Sequence, residues 1–282
     1  MGVFAAALAV LVAAVVAVLV IARDDNNAQP SPTSAGFTGA DFHSLVADPA
    51  VSGRLFVGGH QAVSVSDDGG TSWQPIHALD DIDAMGWGFA TDGIWISGHP
   101  GIVFSTDGGE TVRRRNGALP DSDIHALGVG AGAVYAAGPR VGLIASRDDG
   151  ATWQDVNRND GTSFFGRILV DGEDPRHLLA ADATRGPVVS IDGGKTWDVL
   201  TAFPADWISA VEGFQWIYAS GPEGAVMSGD GGTTWNPLIL PAGASLVEAD
   251  PQVSGRLYSG VHDGDGVTVF VSANHGREWR PA

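Results

Sequence analysis

An eight-residue pattern, Ser-x-Asp-x-Gly-x-Thr-Trp, recurs six times along this chain. The copies read SDDGGTSW from Ser66, STDGGETV from Ser105, SRDDGATW from Ser146, SIDGGKTW from Ser190, SGDGGTTW from Ser228 and SANHGREW from Ser272. Their last positions are Trp73, Val112, Trp153, Trp197, Trp235 and Trp279. A period of roughly forty residues, filled with short apolar segments, is the mark of a propeller or similar array.

Laid over one another, the repeats share one order. A short apolar strand comes first, as in HSLVA from His43, followed by a turn that is often Asp-Pro (Asp48-Pro49, Asp174-Pro175, Asp250-Pro251). The second strand reads RLFVGG from Arg54 and recurs as GIWISG, AVYAAG, HLLAAD, WIYASG and RLYSGV. A third strand runs into the box and a fourth begins at its Trp. Four short strands per repeat predict an all-β fold, a six-bladed β-propeller with four-stranded blades over residues 41–282. In the box, Ser and Asp side chains accept hydrogen bonds from the N–H groups of a tight hairpin, and glycine allows the chain to reverse. Asp68, Asp107, Asp148, Asp192 and Asp230 are therefore read as structural rather than catalytic.

Gly2–Ala22 is an unbroken apolar run, long enough to cross a hydrocarbon core as one helix. Residues 1–23 are expected to be a transmembrane anchor or an uncleaved signal. Residues 24–40, with Pro30 and Pro32, are expected to be a flexible linker. Such a leader is expected to hold the propeller at the cell membrane, outside the cytoplasm, or to leave it secreted if the leader is cleaved. With Lys+Arg 15 against Asp+Glu 33, the net charge of −18 argues against nucleic acid as a partner. The absence of cysteine excludes disulfides, thiol catalysis, Cys-based zinc sites and a lipobox.

The boxes resemble Asp-box (BNR) repeats, found in sialidases and in bacterial secreted proteins labelled glycosyl hydrolase, and the likeness covers about residues 41 to 280. The same repeats occur in photosystem II assembly factors and in sorting-receptor ectodomains, which are not hydrolases. A sialidase would imply three substrate arginines, a Tyr/Glu nucleophile pair, an Asp acid/base and a Phe-Arg-Ile-Pro motif. Gly166-Arg167-Ile168-Leu169 departs from that motif. The three tyrosines, Tyr135, Tyr218 and Tyr258, all fall in the strand-two column shared with Phe56, Trp95 and Leu179, which is core filler. True sialidase activity is not expected.

In such a propeller the boxes line one face. The opposite face is built from the lead-in to strand one and the end of strand two. The lead-in column holds His43, Asp83, His125 and Arg167, and the strand-two column holds His60, His99 and His262. Imidazoles converging with a carboxylate suit a binding funnel, a divalent metal or acid–base work. The candidate metal ligands are His43, His60, His99 and His262; no other cofactor is implied. The candidate catalytic groups are Asp83, Glu223 and His125. Arg140, Arg167 and Arg185 gather in one sector and could clamp a carboxylate. The expected function is recognition of a glycan, peptide or protein on this face. A divergent glycosidase or lyase using the histidine funnel, and an assembly factor for a membrane complex, are the alternatives.

Overall fold

The computed structural model describes residues 35–130 and 132–282. The apolar leader, the helix expected there and most of the linker lie outside the described residues. Among the described residues no helix is long and apolar enough to cross a membrane.

The chain is a β-propeller. Its first blade comprises Ser44–Ala47, Leu55–Gly58, Val63–Ser66 and Gln74–Pro75, and the second Gly86–Ala90, Gly93–Gly98, Gly101–Ser105 and Arg113–Arg114. The third is Ala126–Gly130, Ala133–Gly138, Gly142–Ser146 and Gln154–Asn157; the fourth is Phe164–Val170, Leu178–Asp182, Gly186–Ser190 and Asp198–Val199. The fifth is Trp207–Val211, Trp216–Gly221, Gly224–Ser228 and Asn236–Leu238, and the sixth Ala244–Ala249, Leu257–Asp263, Gly266–Ser272 and Arg280–Pro281. Each blade is antiparallel in sequence order. Blades three and four are also joined by a short parallel bridge, with Ala126 opposite Gly166 and Leu127 opposite Arg167.

The first strands line the axis, and Ala244–Ala249 lies beside Ser44–Ala47, which closes the ring. The seam carries an additional strand. Gly36–Phe37 pairs with the third strand of blade six, Gly36 opposite Val267 and Phe37 opposite Gly266. The propeller thus begins within the segment expected to be linker, because the backbone of residues 36–37 fills an open edge of the last blade.

The first five boxes form the same set of hydrogen bonds. In the first, Ser66 Oγ donates to Asp68 Oδ1 at 2.8 Å and accepts from Gly70 N at 2.9 Å. Ser72 N and Ser72 Oγ then donate to the two oxygens of Asp68 at 2.8 and 2.6 Å. Gly70 makes the reversal with φ at 97°, a conformation that a side chain would strain. The divergent sixth box keeps all but the hydroxyl bond, in whose place Asn274 Nδ2 donates to Glu278 Oε2 at 3.5 Å. Asn274 Oδ1 accepts from Ser272 Oγ and from Glu278 N, both at 3.0 Å.

The blades pack through the second-strand column. Phe56, Trp95, Tyr135, Leu179, Tyr218 and Tyr258 are all buried, as are Trp73, Trp87 and Trp207. Each such side chain contributes about 1.5–3 kcal/mol from its removal from water. Polar links between blades are buried with them. Ser44 Oγ donates to Ala84 O at 2.7 Å and accepts from Trp87 Nε1 at 2.8 Å. Ala249 N donates to Ser209 Oγ at 2.9 Å.

Candidate functional site

Strand register sets the site. Ser66 lies opposite Leu55 in blade one, whereas Ser44 lies opposite Gly58. The boxes and the starts of the second strands therefore share one face. His43, just before the first strand, and His60, just past the second, share the other. His43 N donates to Gly58 O at 2.8 Å and holds the lead-in against that edge.

The same construction in the next blades yields a continuous chain of imidazoles and carboxylates. His43 Nε2 and His60 Nδ1 lie 2.8 Å apart. Asp41 reaches both: its Oδ2 is 3.3 Å from His43 Nε2 and in short contact with His60 Nδ1, while its Oδ1 accepts from His60 N at 2.9 Å. Asp83 Oδ2 sits 3.0 Å from His60 Nε2 and 3.0 Å from His99 Nδ1. Asp123 Oδ1 is 2.6 Å from His99 Nε2 and 2.7 Å from His125 Nε2. Four histidines thus share three aspartates across blades one to three. Phe165 forms the apolar side of the array, with its ring centroid 5.9 Å from that of His43 and 5.8 Å from that of His125.

Burial is graded along the chain. The Asp83 side chain is 4% exposed, while His60 and His99 are 46% and 49% exposed. The carboxylate is buried and the imidazoles border solvent. Burial acts to lower the His99 pKa, but hydrogen bonds to Asp123 and Asp83 outweigh it and hold the imidazole above its ordinary value. Burial acts to raise Asp41; the His60 N–H and the neighbouring imidazoles outweigh it and bring its carboxyl below the usual range. Asp206, leading into blade five, is half-buried, and burial pushes its carboxyl up.

The structure brings together His43, His60, Asp83, His99 and His125. It separates the other candidates. His262 lies inside the second strand of blade six, opposite Val267, and its Nε2 is 3.0 Å from Gly39 O. That strand and its neighbour are longer than their counterparts, which keeps the imidazole in the sheet, stacked on Phe42. The three arginines do not form a clamp, because each is held by carboxylates of its own. Arg140 Nη1 donates to Asp121 at 3.3 Å, Arg185 pairs with Asp160 and Asp182 at 2.8 Å each, and Arg167 pairs with Glu248 at 2.7 Å. Glu223 is exposed in the turn of blade five, outside the array. A cleft of about 390 Å³ between blades two and three is lined by Asp92, Trp95, Arg147 and Asp149, toward the box end, and holds none of the candidate residues.

Asp41, Asp123 and Phe165 escaped the sequence reading. A usable signal existed for two of them. Asp41-Phe42-His43 and Asp123-Ile124-His125 repeat an aspartate two residues before the lead-in histidine. Phe165 carried no such signal. The strand's register shifts between Phe165 and Ile168; Phe165 stands beside His43 and His125, whereas Arg167, the residue expected there, pairs with Glu248.

No protein-family profile matches the chain, and no curated protein matches it in sequence. Solved structures match it in fold. The GH74 xyloglucanase of Xanthomonas campestris superposes with a TM-score of 0.60 at 16% identity, covering 89% of this chain and 46% of its own. This chain therefore spans less than half the length of that enzyme. YCF48 bound to D1 peptide superposes with a TM-score of 0.56 at 16% identity, covering 89% and 84%. A chain of a nidogen/laminin complex gives 0.59 at 13% identity, covering 77% and 88%. These likenesses concern the fold.

Proposed function

We propose that this chain is an extracytoplasmic, membrane-tethered Asp-box propeller that recognises a peptide or protein partner on the face opposite its boxes. The observation that carries the reading is the chain of four imidazoles and three aspartates on that face. Such an array offers a dense set of hydrogen-bond donors and acceptors, fixed by blade edges rather than by long loops. The fold hosts both glycoside hydrolases and peptide- or protein-bound propellers among its neighbours, so function has to be argued from the site. A sialidase-type nucleophile is not at hand, since Tyr135, Tyr218 and Tyr258 are all buried in the blades.

The test is binding to peptide and glycan arrays by the full chain, by a His60→Ala/His99→Ala variant and by Arg147→Ala on the box face. The reading expects a peptide ligand whose affinity falls at least tenfold in the histidine variant and is unchanged in Arg147→Ala. Binding that follows Arg147 instead overturns it. Binding to glycans alone keeps the face and replaces the partner class. Turnover of any fluorogenic glycoside, run with and without chelator, replaces recognition by catalysis, with Asp83 and His125 as the groups to examine.

A further inference from the structure

We propose that His60 Nε2, His99 Nδ1 and Asp83 hold one divalent first-row transition-metal ion, of which Zn²⁺ is the probe. The inference rests on the reading of this face as the functional one and adds the ligand chemistry. Three observations carry it. First, the ligand atoms of His60, Asp83 and His99 all lie within 4.8 Å of one another, and both imidazole nitrogens are 3.0 Å from Asp83 Oδ2. Donors around a four-coordinate zinc, each at about 2.0–2.2 Å, stand roughly 3.3 Å apart. The two nitrogen–oxygen separations need to open by only a few tenths of an ångström.

Second, the far nitrogen of each histidine is already held by a carboxylate. His60 Nδ1 faces Asp41 Oδ2, and His99 Nε2 is 2.6 Å from Asp123 Oδ1. Metal-bound histidines characteristically donate their other N–H to a carboxylate or carbonyl, which fixes the tautomer and turns the free lone pair toward the ion. Here both rings are set that way, from opposite sides of Asp83.

Third, Asp83 Oδ1 is buried and accepts no hydrogen bond among the described residues. The nearest imidazole nitrogen, His43 Nε2, is 3.7 Å away. A network built only of ion pairs leaves this oxygen without a partner, which is costly in a buried carboxylate. An ion held at Oδ2 by the two imidazoles offsets the charge of the buried carboxylate whose Oδ1 is left unpaired. Two nitrogens and a carboxylate suit borderline ions such as zinc, nickel and copper better than calcium or magnesium. Because His60 and His99 border solvent, the remaining coordination positions open outward, where an oxygen of a bound partner can enter.

The experiment is a Zn²⁺ titration by calorimetry of the full chain, free of any histidine tag and treated with chelator. The expected result is one ion per chain. Affinity should fall at least 100-fold in His60→Ala and in His99→Ala, and 10- to 100-fold in Asp41→Asn and Asp123→Asn, as loss of an outer hydrogen bond generally causes. His262→Ala should bind as wild type. Electron paramagnetic resonance of the Cu²⁺-loaded wild type, which needs no variant to fold, should show coupling to two imidazole nitrogens. No saturable binding, a copper signal without nitrogen coupling, or undiminished zinc binding in a folded His60→Ala/His99→Ala protein overturns the inference. The two proposals fail separately. Histidine-dependent partner binding without zinc binding removes the metal and leaves the face. Zinc binding with a partner that ignores the histidines does the reverse.

Discussion

Arg167 Nη1 donates to Glu248 Oε1 over 2.7 Å and so ties the first strand of blade four to that of blade six. Glu248 is fully buried and also receives Ala47 N at 3.3 Å from blade one and Trp207 Nε1 at 3.4 Å from blade five. Burial pushes the Glu248 carboxyl above its ordinary range, with Arg167 opposing. Removing the guanidinium leaves that charge uncompensated, and Arg167→Met should cost about 3–5 kcal/mol at neutral pH. The sign of the pH dependence follows. A raised folded pKa means the native state takes up a proton before the unfolded chain does, so the penalty grows as pH rises above the unfolded value. The deficit of Arg167→Met should therefore shrink from pH 7 to pH 5 in denaturant melts. Adding Glu248→Gln should abolish that trend, and a deficit independent of pH in the single variant would exclude Glu248 as its source.

The boxes make a second, opposite pH prediction. Hydrogen bonds from the Thr111 hydroxyl and N–H hold Asp107 at about 2, and those from Thr196 N–H and hydroxyl hold Asp192 at about 2. A depressed carboxyl stabilises the fold above its unfolded pKa, near 4, and that contribution is lost as pH falls through 2. The melting temperature should drop over this window. In an Asp107→Asn/Asp192→Asn protein the drop should be shallower and the starting temperature lower. Identical slopes by calorimetry would show that these carboxylates do not govern acid unfolding.

How far the sequence reveals this molecule depends on how local each determinant is. The box is a set of bonds between neighbouring groups, Gly70 to Ser66, Ser66 to Asp68 and Ser72 to Asp68, so its pattern alone specifies a turn and, by repetition, the fold. The site is assembled from residues that meet only across blades. His60 and His99 were legible because the repeats align them at the same strand end. His262 occupies the same column yet stands apart, since blade six has longer strands and pairs its edge with Gly36–Phe37. The arginines misled because acidic residues outnumber basic ones by 33 to 15, and each arginine finds carboxylates close by.

The seam offers a third test. A Cβ on Gly36 would lie 2.4 Å from Val57 Cγ2 and 3.1 Å from the Trp73 ring, so the pairing of residues 36–37 with blade six tolerates no side chain at that position. Gly36→Ala should destabilise by about 1–3 kcal/mol through overpacking. Amide exchange at Thr38 and Gly39, which both donate to Asp265 O at 3.0 and 3.1 Å, should quicken ahead of global unfolding. Unchanged protection at both amides would mean that the added strand does not secure the seam.

The sixth box holds a histidine with a distinct environment, and it supplies the fourth prediction. The His275 ring stacks on Trp216 with centroids 3.9 Å apart, and its Nδ1 is 2.7 Å from Tyr218 Oη. The contact joins the divergent box of blade six to the second strand of blade five. Burial lowers the His275 pKa, and Arg277 adds to this while Glu212 opposes it. The neutral ring is thus the form the fold prefers. Above about pH 6.5 neither state carries the proton; as pH falls below that value the unfolded chain gains it first, and stability is lost until the folded pKa is passed. The wild type should therefore lose melting temperature between pH 7 and pH 5 by a component missing in His275→Gln. Trp216 emission should change over the same range, because protonation places a cation against its ring. Tyr218→Phe removes the hydrogen bond and should cost about 1 kcal/mol at pH 7. Equal slopes for wild type and His275→Gln would show that this imidazole keeps the same protonation equilibrium in the folded and unfolded chain.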